Sequence, residues 1–377
     1  MIIQGLTLPR EAVRLEVENG KIIRRTPIPA EPGLPRLLPV LVDLQHNGAL
    51  SHAYNNLNGE GEKELETIAG HLLRHGVGRV LATFTTADYS ILETGAQAIN
   101  RILEHDRKLN SLFPGIFHEG VFISPEYGWR GGHMEQFILK PDWQRFSHLN
   151  ELSGGRIRMV NLAPEIEGAL DFIPKAVGAG IRVSLGHCNP DSATIHRAAD
   201  LGASMITHFG NGAAPEIHRF ANPFWGFLDD SRLNPGLVGD GFHLPPEVVR
   251  TVLLCKGAEH CFMVSDANIY SGCPPGLYHR IGGQDCVVEP NGYFHVAGEE
   301  ILAGAWFQQD RCVDFLMEKC GLDFETAWKL CSVTPAALAG IDLPDLSEGA
   351  EATFVIYNDH KILQTVFRGE TWNASEH

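Results

Sequence analysis

Eight short runs of apolar residues, most of them rich in β-branched side chains, recur through the middle of the chain, with helical segments in most of the gaps. The runs are 37–45 (LLPVLVDLQ), 78–84, 115–123, 157–165, 181–187, 203–209, 236–243 and 261–267. They are continuous rather than alternating, which is the pattern of strands buried on both faces. Residues 62–76 and 90–106 carry apolar side chains at helical spacing, and 245–257 opens on proline and ends on glycine. Asn189-Pro190-Asp191-Ser192 reads as a helix start with proline in the first turn. Eight such strands alternating with helices predict a (β/α)8 TIM barrel in the α/β class. The other candidate, a doubly wound open sheet, lacks its Gly-rich phosphate turn after the first strand.

The two chain ends follow a different rule. Residues 13–25 alternate about an Asn19-Gly20 turn, a hairpin signal, and 29–39 is a proline-rich connector. Residues 352–372 alternate again. The expectation is a small β-sandwich built from 1–38 and 345–377, beside a barrel of 39–344. Within the barrel segment, 276–301 reads as a β-hairpin around Asn291-Gly292, and 302–321 and 323–340 return to helix.

Composition narrows the partners. The formal net charge is −16 over 377 residues, and no run of Lys or Arg occurs. That argues against nucleic acid and anionic membrane as partners and leaves a small molecule. The eight cysteines form no C-x-x-C pair, so they read as buried free thiols of a reducing compartment. The N-terminal stretch lacks the pattern of a signal peptide, and no run approaches the ~20 apolar residues of a membrane span. A soluble cytoplasmic protein is expected.

In a barrel, chemistry gathers at the C-terminal ends of the strands. Here those ends carry Gln45-His46-Asn47, His118-Glu119, Glu165, His187, His208, His243 and Asp266. A structural core has no use for so many polar groups at one rim. Glu119, His187 and His208 have the chemistry of a catalytic divalent metal site: one carboxylate and two imidazoles, with a position left for water. Zn²⁺ is the first choice, and Fe²⁺, Co²⁺ and Mn²⁺ also suit the set. Asp266, among small residues, reads as the group that takes a proton from water and returns it to a leaving group.

In order and content these stretches resemble the amidohydrolase superfamily, and within it the N-acetylglucosamine-6-phosphate deacetylase family. The matching pieces include VDLQHNG (42–48), HEGVFIS (118–124), LAPE (162–165), SLGHCNPD (184–191), THFGNGA (207–213), GLVGDGFH (236–243), SDA (265–267) and TPAALAG (334–340). They run collinearly through nearly the whole chain. The resemblance implies a metal-dependent deacetylation of an amino sugar and a homodimer. It matches Glu119, His187 and His208 to the metal ligands and Asp266 to the catalytic aspartate. It implies that His133 contacts the acyl carbonyl or developing oxyanion and that His243 contacts the sugar. Asn211 and Gly212 would hold the phosphate end, and Arg219 would bind the phosphate, from its own or a neighbouring subunit. Gln45 and Asn47 stand where many amidohydrolases have a His-x-His pair. Amides are poor ligands beside imidazole, so one metal is expected and the two amides are assigned to the substrate pocket. His46 between them points to the other side of the strand.

The departures cluster where substrate would bind. The family's H-x-E-G-P becomes Phe117-His118-Glu119-Gly120-Val121, and the segment from Gly210 to Trp225 differs after the second metal histidine. Ala49 to Tyr54 replaces a glycine run, and Ala305 stands for the usual serine or threonine. The expected reaction is therefore hydrolysis of an N-acetyl group from an amino sugar, preferably its 6-phosphate. The alternatives are an amidohydrolase for a different N-acyl or cyclic amide, and a non-catalytic relative that binds a sugar or a partner.

Overall fold

The computed structural model describes residues 1–59, 61–279, 285–299, 301–358 and 360–374. Eight parallel strands form its central sheet: Leu41–His46 (β1), Val77–Phe84 (β2), Gly115–His118 (β3), Ile157–Leu162 (β4), Arg182–Leu185 (β5), Ala203–Ile206 (β6), Asn234–Val238 (β7) and Phe262–Val264 (β8). Each pairs with the next in chain order. The sheet closes just past the ends of β1 and β8. His46 bridges Ala267 in parallel, Asp266 N–H donates to the Gln45 carbonyl at 3.0 Å, and Asn47 N–H donates to the Ala267 carbonyl at 2.9 Å. The (β/α)8 barrel is thus the observed fold.

Helices follow the strands on the outside, among them Glu62–Arg74, Tyr89–His105, Trp143–Leu152, Ala169–Gly178, Ser192–Asp200, Pro223–Asp229, Pro246–Lys256 and Gln309–Glu318. Their buried faces join strand residues such as Val80, Ile116, Val160, Val183 and Leu237 in one large apolar layer. A separate cluster contains Leu81, Phe117, Met159, Met205 and Phe262. Side chains alternate along a strand, so Phe117 faces the same way as Glu119, and Met205 the same way as Thr207. These residues form the apolar floor under the polar rim. Local signals mark the helix starts: Asp191 accepts from Thr194 N–H, so Asp191 itself is the cap and Pro190 lies one residue outside the helix.

The chain ends build one seven-stranded sheet. Its spatial order is Glu370–Asn373, Lys361–Phe367, Phe354–Asn358, Arg36–Leu38, Ile2–Leu6, Ala12–Glu18 and Lys21–Pro27. The sheet curls on itself, with Lys21 bridging Glu351, and encloses Val13, Leu15, Ile22, Leu37, Phe354 and Val366. This is the β-sandwich made from both termini. No described helix is long and apolar enough to cross a membrane. None of the eight cysteines is in a disulfide, and Cys255 alone among them is exposed.

Two segments differ from expectation. Residues 302–321 are helical only over Gln309–Glu318. The preceding backbone bridges the turn after β8: Ala305 N–H donates to the Asp266 carbonyl at 2.9 Å and Asn268 N–H to the Ala305 carbonyl at 2.8 Å. The 115–123 run stops being strand at His118, because Glu119 and Gly120 N–H both turn to the Phe84 carbonyl. The expected 276–301 hairpin is present as Cys286–Val288 paired with Phe294–Val296, with Gly276–Tyr278 added on its edge. Residues 280–284 and 300 of that stretch lie outside the described residues.

Asp43 locks the barrel seam. Its carboxylate accepts from Ser265 Oγ, from Ser265 N–H at 3.2 Å and from Gln45 N–H at 3.2 Å, tying β1 to the turn after β8. Burial pushes its carboxyl up to about 7 against the opposing pull of those hydrogen bonds. The folded protein therefore keeps a proton there that the unfolded chain has lost above its ordinary value near 3.8. The associated stability is full below that value and is lost as pH rises through about 7. Asparagine keeps the shape and does not titrate. The melting temperature of Asp43→Asn, relative to the native chain, is expected to rise between pH 6 and pH 8. A difference that stays flat in calorimetry across that interval would show Asp43 ionised throughout.

Candidate active site

Four residues at the rim share one register. Strands β5, β6, β7 and β8 end at Leu185, Ile206, Val238 and Val264, and His187, His208, Asp240 and Asp266 each stand two residues further on. His187, His208 and Asp266 have φ of 51°, 29° and 50°, a left-handed conformation that non-glycine residues adopt at a cost. The strands thus stop earlier than the apolar runs suggest. A small residue (Gly186, Thr207, Ser265) makes the turn that swings each side chain over the barrel mouth.

The swing brings donors together. His208 Nε2 lies 2.9 Å from His187 Nε2 and 3.1 Å from Glu119 Oε1, and His187 Nε2 is 3.6 Å from that same oxygen. All three side chains are buried. His187 Nδ1 faces the Trp129 carbonyl at 3.0 Å. A carbonyl only accepts, so the ring hydrogen is on Nδ1 and Nε2 carries the lone pair that a metal ligand needs. His208 is held edge-on to His187, with ring centroids 4.6 Å apart and planes at 90°. Two imidazole nitrogens and a carboxylate oxygen at these separations need a proton or a cation among them, and the donor set fits a divalent metal. His133 is also within reach: ligand atoms of Glu119, His133 and His187 all lie within 4.8 Å of one another. The shorter separations belong to His208, and His133 is instead engaged by Thr86 Oγ1 at 2.7 Å.

Asp266 lies beside this claw. Its Oδ1 accepts from Gln45 Nε2 at 3.1 Å and from Asn47 Nδ2 at 2.9 Å, while Gln45 Nε2 also donates to Glu119 Oε1 at 2.7 Å. Gln45 therefore bridges the two carboxylates, and Asn47 adds a second donor to Asp266. His46 turns the other way, into the core, where it meets Tyr54 Oη at 2.7 Å and Gln308 Oε1 at 3.1 Å.

The charges of the site are coupled. Burial works against ionised Glu119, but the adjacent imidazoles of His187 and His208 outweigh it and hold the carboxyl below its usual range. Burial and the neighbouring Glu119 raise Asp266, against the pull of His208, His243 and the Asn47 amide. His243 is raised because Asp240 overcomes the cost of its burial. Asp240 Oδ2 accepts from His243 Nδ1 at 2.7 Å and its Oδ1 from His243 N–H at 2.9 Å.

The remaining candidates line the loop after β6. Asn211 N–H donates to the His208 carbonyl at 2.9 Å, and Asn211 Nδ2 is buried without a hydrogen-bond partner among the described residues. Gly212 packs directly on His187. Arg219 stands outside the cluster on an exposed stretch, its guanidinium 5.6 Å from the Phe220 ring centroid. Three positioning residues escaped the sequence reading. Asp240 and Thr86 both lie two residues past a strand end, which is the register that could have found them. Asn161 supports the claw from below: its Nδ2 donates to the Glu119 carbonyl at 3.1 Å and the Gly186 carbonyl at 3.3 Å, and its Oδ1 accepts from Thr207 Oγ1 at 2.9 Å.

A (β/α)8 barrel whose rim gathers a buried carboxylate, two imidazoles and an adjacent aspartate, with a sandwich drawn from both termini, has the architecture of an amidohydrolase. No family model matches the chain. Individual relatives do. The N-acetylglucosamine-6-phosphate deacetylase of Bos taurus is 30% identical over 354 residues, covering 90% of this chain and 84% of its own length. The N-acetylgalactosamine-6-phosphate deacetylase of Escherichia coli O157:H7 is 27% identical over 361 residues, covering 94% and 93%. Among solved structures, a mutant N-acetyl-D-glucosamine-6-phosphate deacetylase of Mycobacterium smegmatis, in complex with N-acetyl-D-glucosamine-6-phosphate, superposes with a TM-score of 0.86 at 25% identity over 99% of both chains. The chain belongs to the N-acetylglucosamine-6-phosphate deacetylase family.

A Cβ added at Gly212 would lie 2.3 Å from His187 Nδ1, and φ there is +59°. Gly212→Ala must therefore displace the His187 ring. Metal affinity of this variant, titrated against a chelator, is expected to weaken about 10- to 100-fold, the usual cost of disturbing a ligand's support. Native affinity would mean that the ring is not held where metal binds.

Proposed function

We propose that this chain hydrolyses the N-acetyl group of an amino sugar 6-phosphate, N-acetylglucosamine-6-phosphate first among them. The observation that carries the reading is the buried Glu119–His187–His208 claw with Asp266 beside it. We assign one divalent cation to that claw, Zn²⁺ first, with Fe²⁺, Co²⁺ and Mn²⁺ the other ions that suit the donors. Gln45 and Asn47 support one ion rather than two, since their amide hydrogens are directed at carboxylates. When bound, the cation lowers the pKa of water and polarises the amide carbonyl.

The chain's own groups do the rest. Asp266 takes the proton of the attacking water and hands it to the departing amine nitrogen. Its buried setting, which raises its affinity for a proton, suits both halves of that transfer. Gln45 and Asn47 hold the carboxylate in place for it. His133 donates to the carbonyl oxygen as negative charge develops there. His243, kept in its orientation by Asp240, faces the sugar. The unpartnered Asn211 amide, the Gly212 backbone and Arg219 receive the phosphate. The buried thiols suit a cytoplasmic enzyme. Phe220 and Trp225, 73% and 53% exposed beside Arg219, suit a homodimer that covers this loop.

With N-acetylglucosamine-6-phosphate, Asp266→Asn is expected to lose ~10²- to 10⁴-fold in kcat with its metal retained. Full activity of the metal-loaded variant would end this mechanism. The phosphate assignment has its own check in kcat/KM for the 6-phosphates of N-acetylglucosamine and N-acetylgalactosamine and for the unphosphorylated sugars. Arg219→Ala is expected to raise KM for the phosphates with kcat little changed. Equal use of unphosphorylated sugar by the native chain would point to a different N-acyl substrate.

A further inference from the structure

His187 and His133, neighbouring rings beside Glu119 with centroids 4.5 Å apart, are held by opposite kinds of partner. His187 Nδ1 faces a carbonyl, which fixes its hydrogen on Nδ1 and leaves Nε2 as a lone pair. His133 Nδ1 faces a hydroxyl, Thr86 Oγ1, at 2.7 Å. A hydroxyl has one hydrogen to give and two lone pairs. One lone pair of Thr86 is committed, because Val121 N–H, which can only donate, lies 3.0 Å from Oγ1. The 2.7 Å separation from His133 is a common distance for an O–H donor and the short limit for an N–H donor.

The backbone is bent to create this contact. Val121 has φ of 71°, a real strain for a β-branched residue. Proline, the family's residue at this point, has neither that φ nor an N–H. The Val121 carbonyl accepts from Leu139 N–H at 2.7 Å, closing the base of the loop that carries His133. Gly120 is required alongside: a Cβ there would lie 2.1 Å from Thr86 N and 2.4 Å from Thr86 Oγ1. One hydroxyl thus clamps both the base of the loop and the imidazole in the middle of it.

We propose that Thr86 is a positioning residue for the deacetylation: its hydroxyl donates to His133 Nδ1 and keeps the hydrogen of the neutral ring on Nε2, so that His133 is a hydrogen-bond donor to the substrate carbonyl and not a further metal ligand. The inference rests on the role given to His133 under the proposed function. It makes Thr86 the element that divides neighbouring imidazoles between two jobs: His187 offers a lone pair and His133 offers a hydrogen.

The test compares Thr86→Val, Thr86→Ser, His133→Gln and the double variant Thr86→Val/His133→Gln, with N-acetylglucosamine-6-phosphate as substrate and bound metal measured for each. Thr86→Val is expected to lose about 10- to 100-fold in kcat, with KM within about threefold and metal content unchanged; removing an oxyanion donor outright costs ~10²- to 10³-fold. Thr86→Ser, which keeps the hydroxyl, is expected within about threefold of the native chain. In the His133→Gln background, Thr86→Val is expected to add little, as for two members of one interaction. Native kcat in Thr86→Val beside an impaired His133→Gln would overturn the role of Thr86 and leave that of His133 standing. Native kcat in His133→Gln would overturn the reading on which the inference rests. Losses that add in the double variant, a Thr86→Ser as impaired as Thr86→Val, or loss of metal in Thr86→Val would each reduce Thr86 to a packing role and overturn the proposal.

Discussion

A carboxylate and two imidazoles buried within 3.6 Å of one another, on an apolar floor, form the constraint on which the rest of the molecule depends. An isolated ionised group in such a place is costly, and two nitrogens 2.9 Å apart repel unless something positive lies among them. The barrel makes the arrangement tolerable by satisfying most other demands of these groups, with His208 Nδ1 left buried without a hydrogen-bond partner among the described residues. The Trp129 carbonyl fixes the His187 ring, Gln45 occupies Glu119, and Asn161 holds the backbone beneath. His187 Nε2, His208 Nε2 and Glu119 Oε1 converge on one spot, and that spot has the chemistry of a cation site.

The strain at the rim follows from the same demand. A strand carries its side chains up and down its own faces and cannot aim them across the mouth of the barrel. A left-handed residue two places past the strand end can. His187, His208 and Asp266 all use this turn, and Val121 uses a related one to hold the His133 loop. Such conformations persist only where the surrounding structure over-determines them. Here the closed sheet, the Asp43–Ser265 lock and the bridge from Ala305 to Ala267 supply that rigidity. The barrel seam is therefore part of the site, because it is what keeps Gln45 and Asn47 opposite Asp266.

Chemistry and binding are separated in the chain. The claw and the aspartate lie on strand ends, backed by a fully buried interior. The groups assigned to the phosphate lie on the loop from Gly210 to Trp225, which carries exposed Phe220 and Trp225 and departs most from the family's pattern. Loops vary at small energetic cost because little packs against them, whereas a buried histidine in a strained turn has no slack. That contrast explains why the reaction is better defined by the architecture than the sugar is.

The barrel, the sandwich from both termini and the rim residues Glu119, His187, His208 and Asp266 were legible from the chain alone. Buried parallel strands write themselves as continuous apolar runs, and a polar residue at the end of such a run has few other reasons to be there. Helix 302–321 was overextended because Ala305 is committed to a bridge with a residue 38 positions away, which no local pattern records. Thr86, Asp240 and Asn161 were missed for a related reason: a threonine, aspartate or asparagine near a strand end is commonplace until its partner is known. Sequence by itself determined that Glu119, His187, His208 and Asp266 would reach the mouth of the barrel. Only the tertiary structure decided what each does there, since a histidine becomes a lone-pair ligand or a hydrogen donor according to whether a carbonyl or a hydroxyl meets its other nitrogen. That partner comes from another strand-end loop, from residues 58 positions away for His187 and 47 for His133, brought into contact by the parallel pairing of the strands.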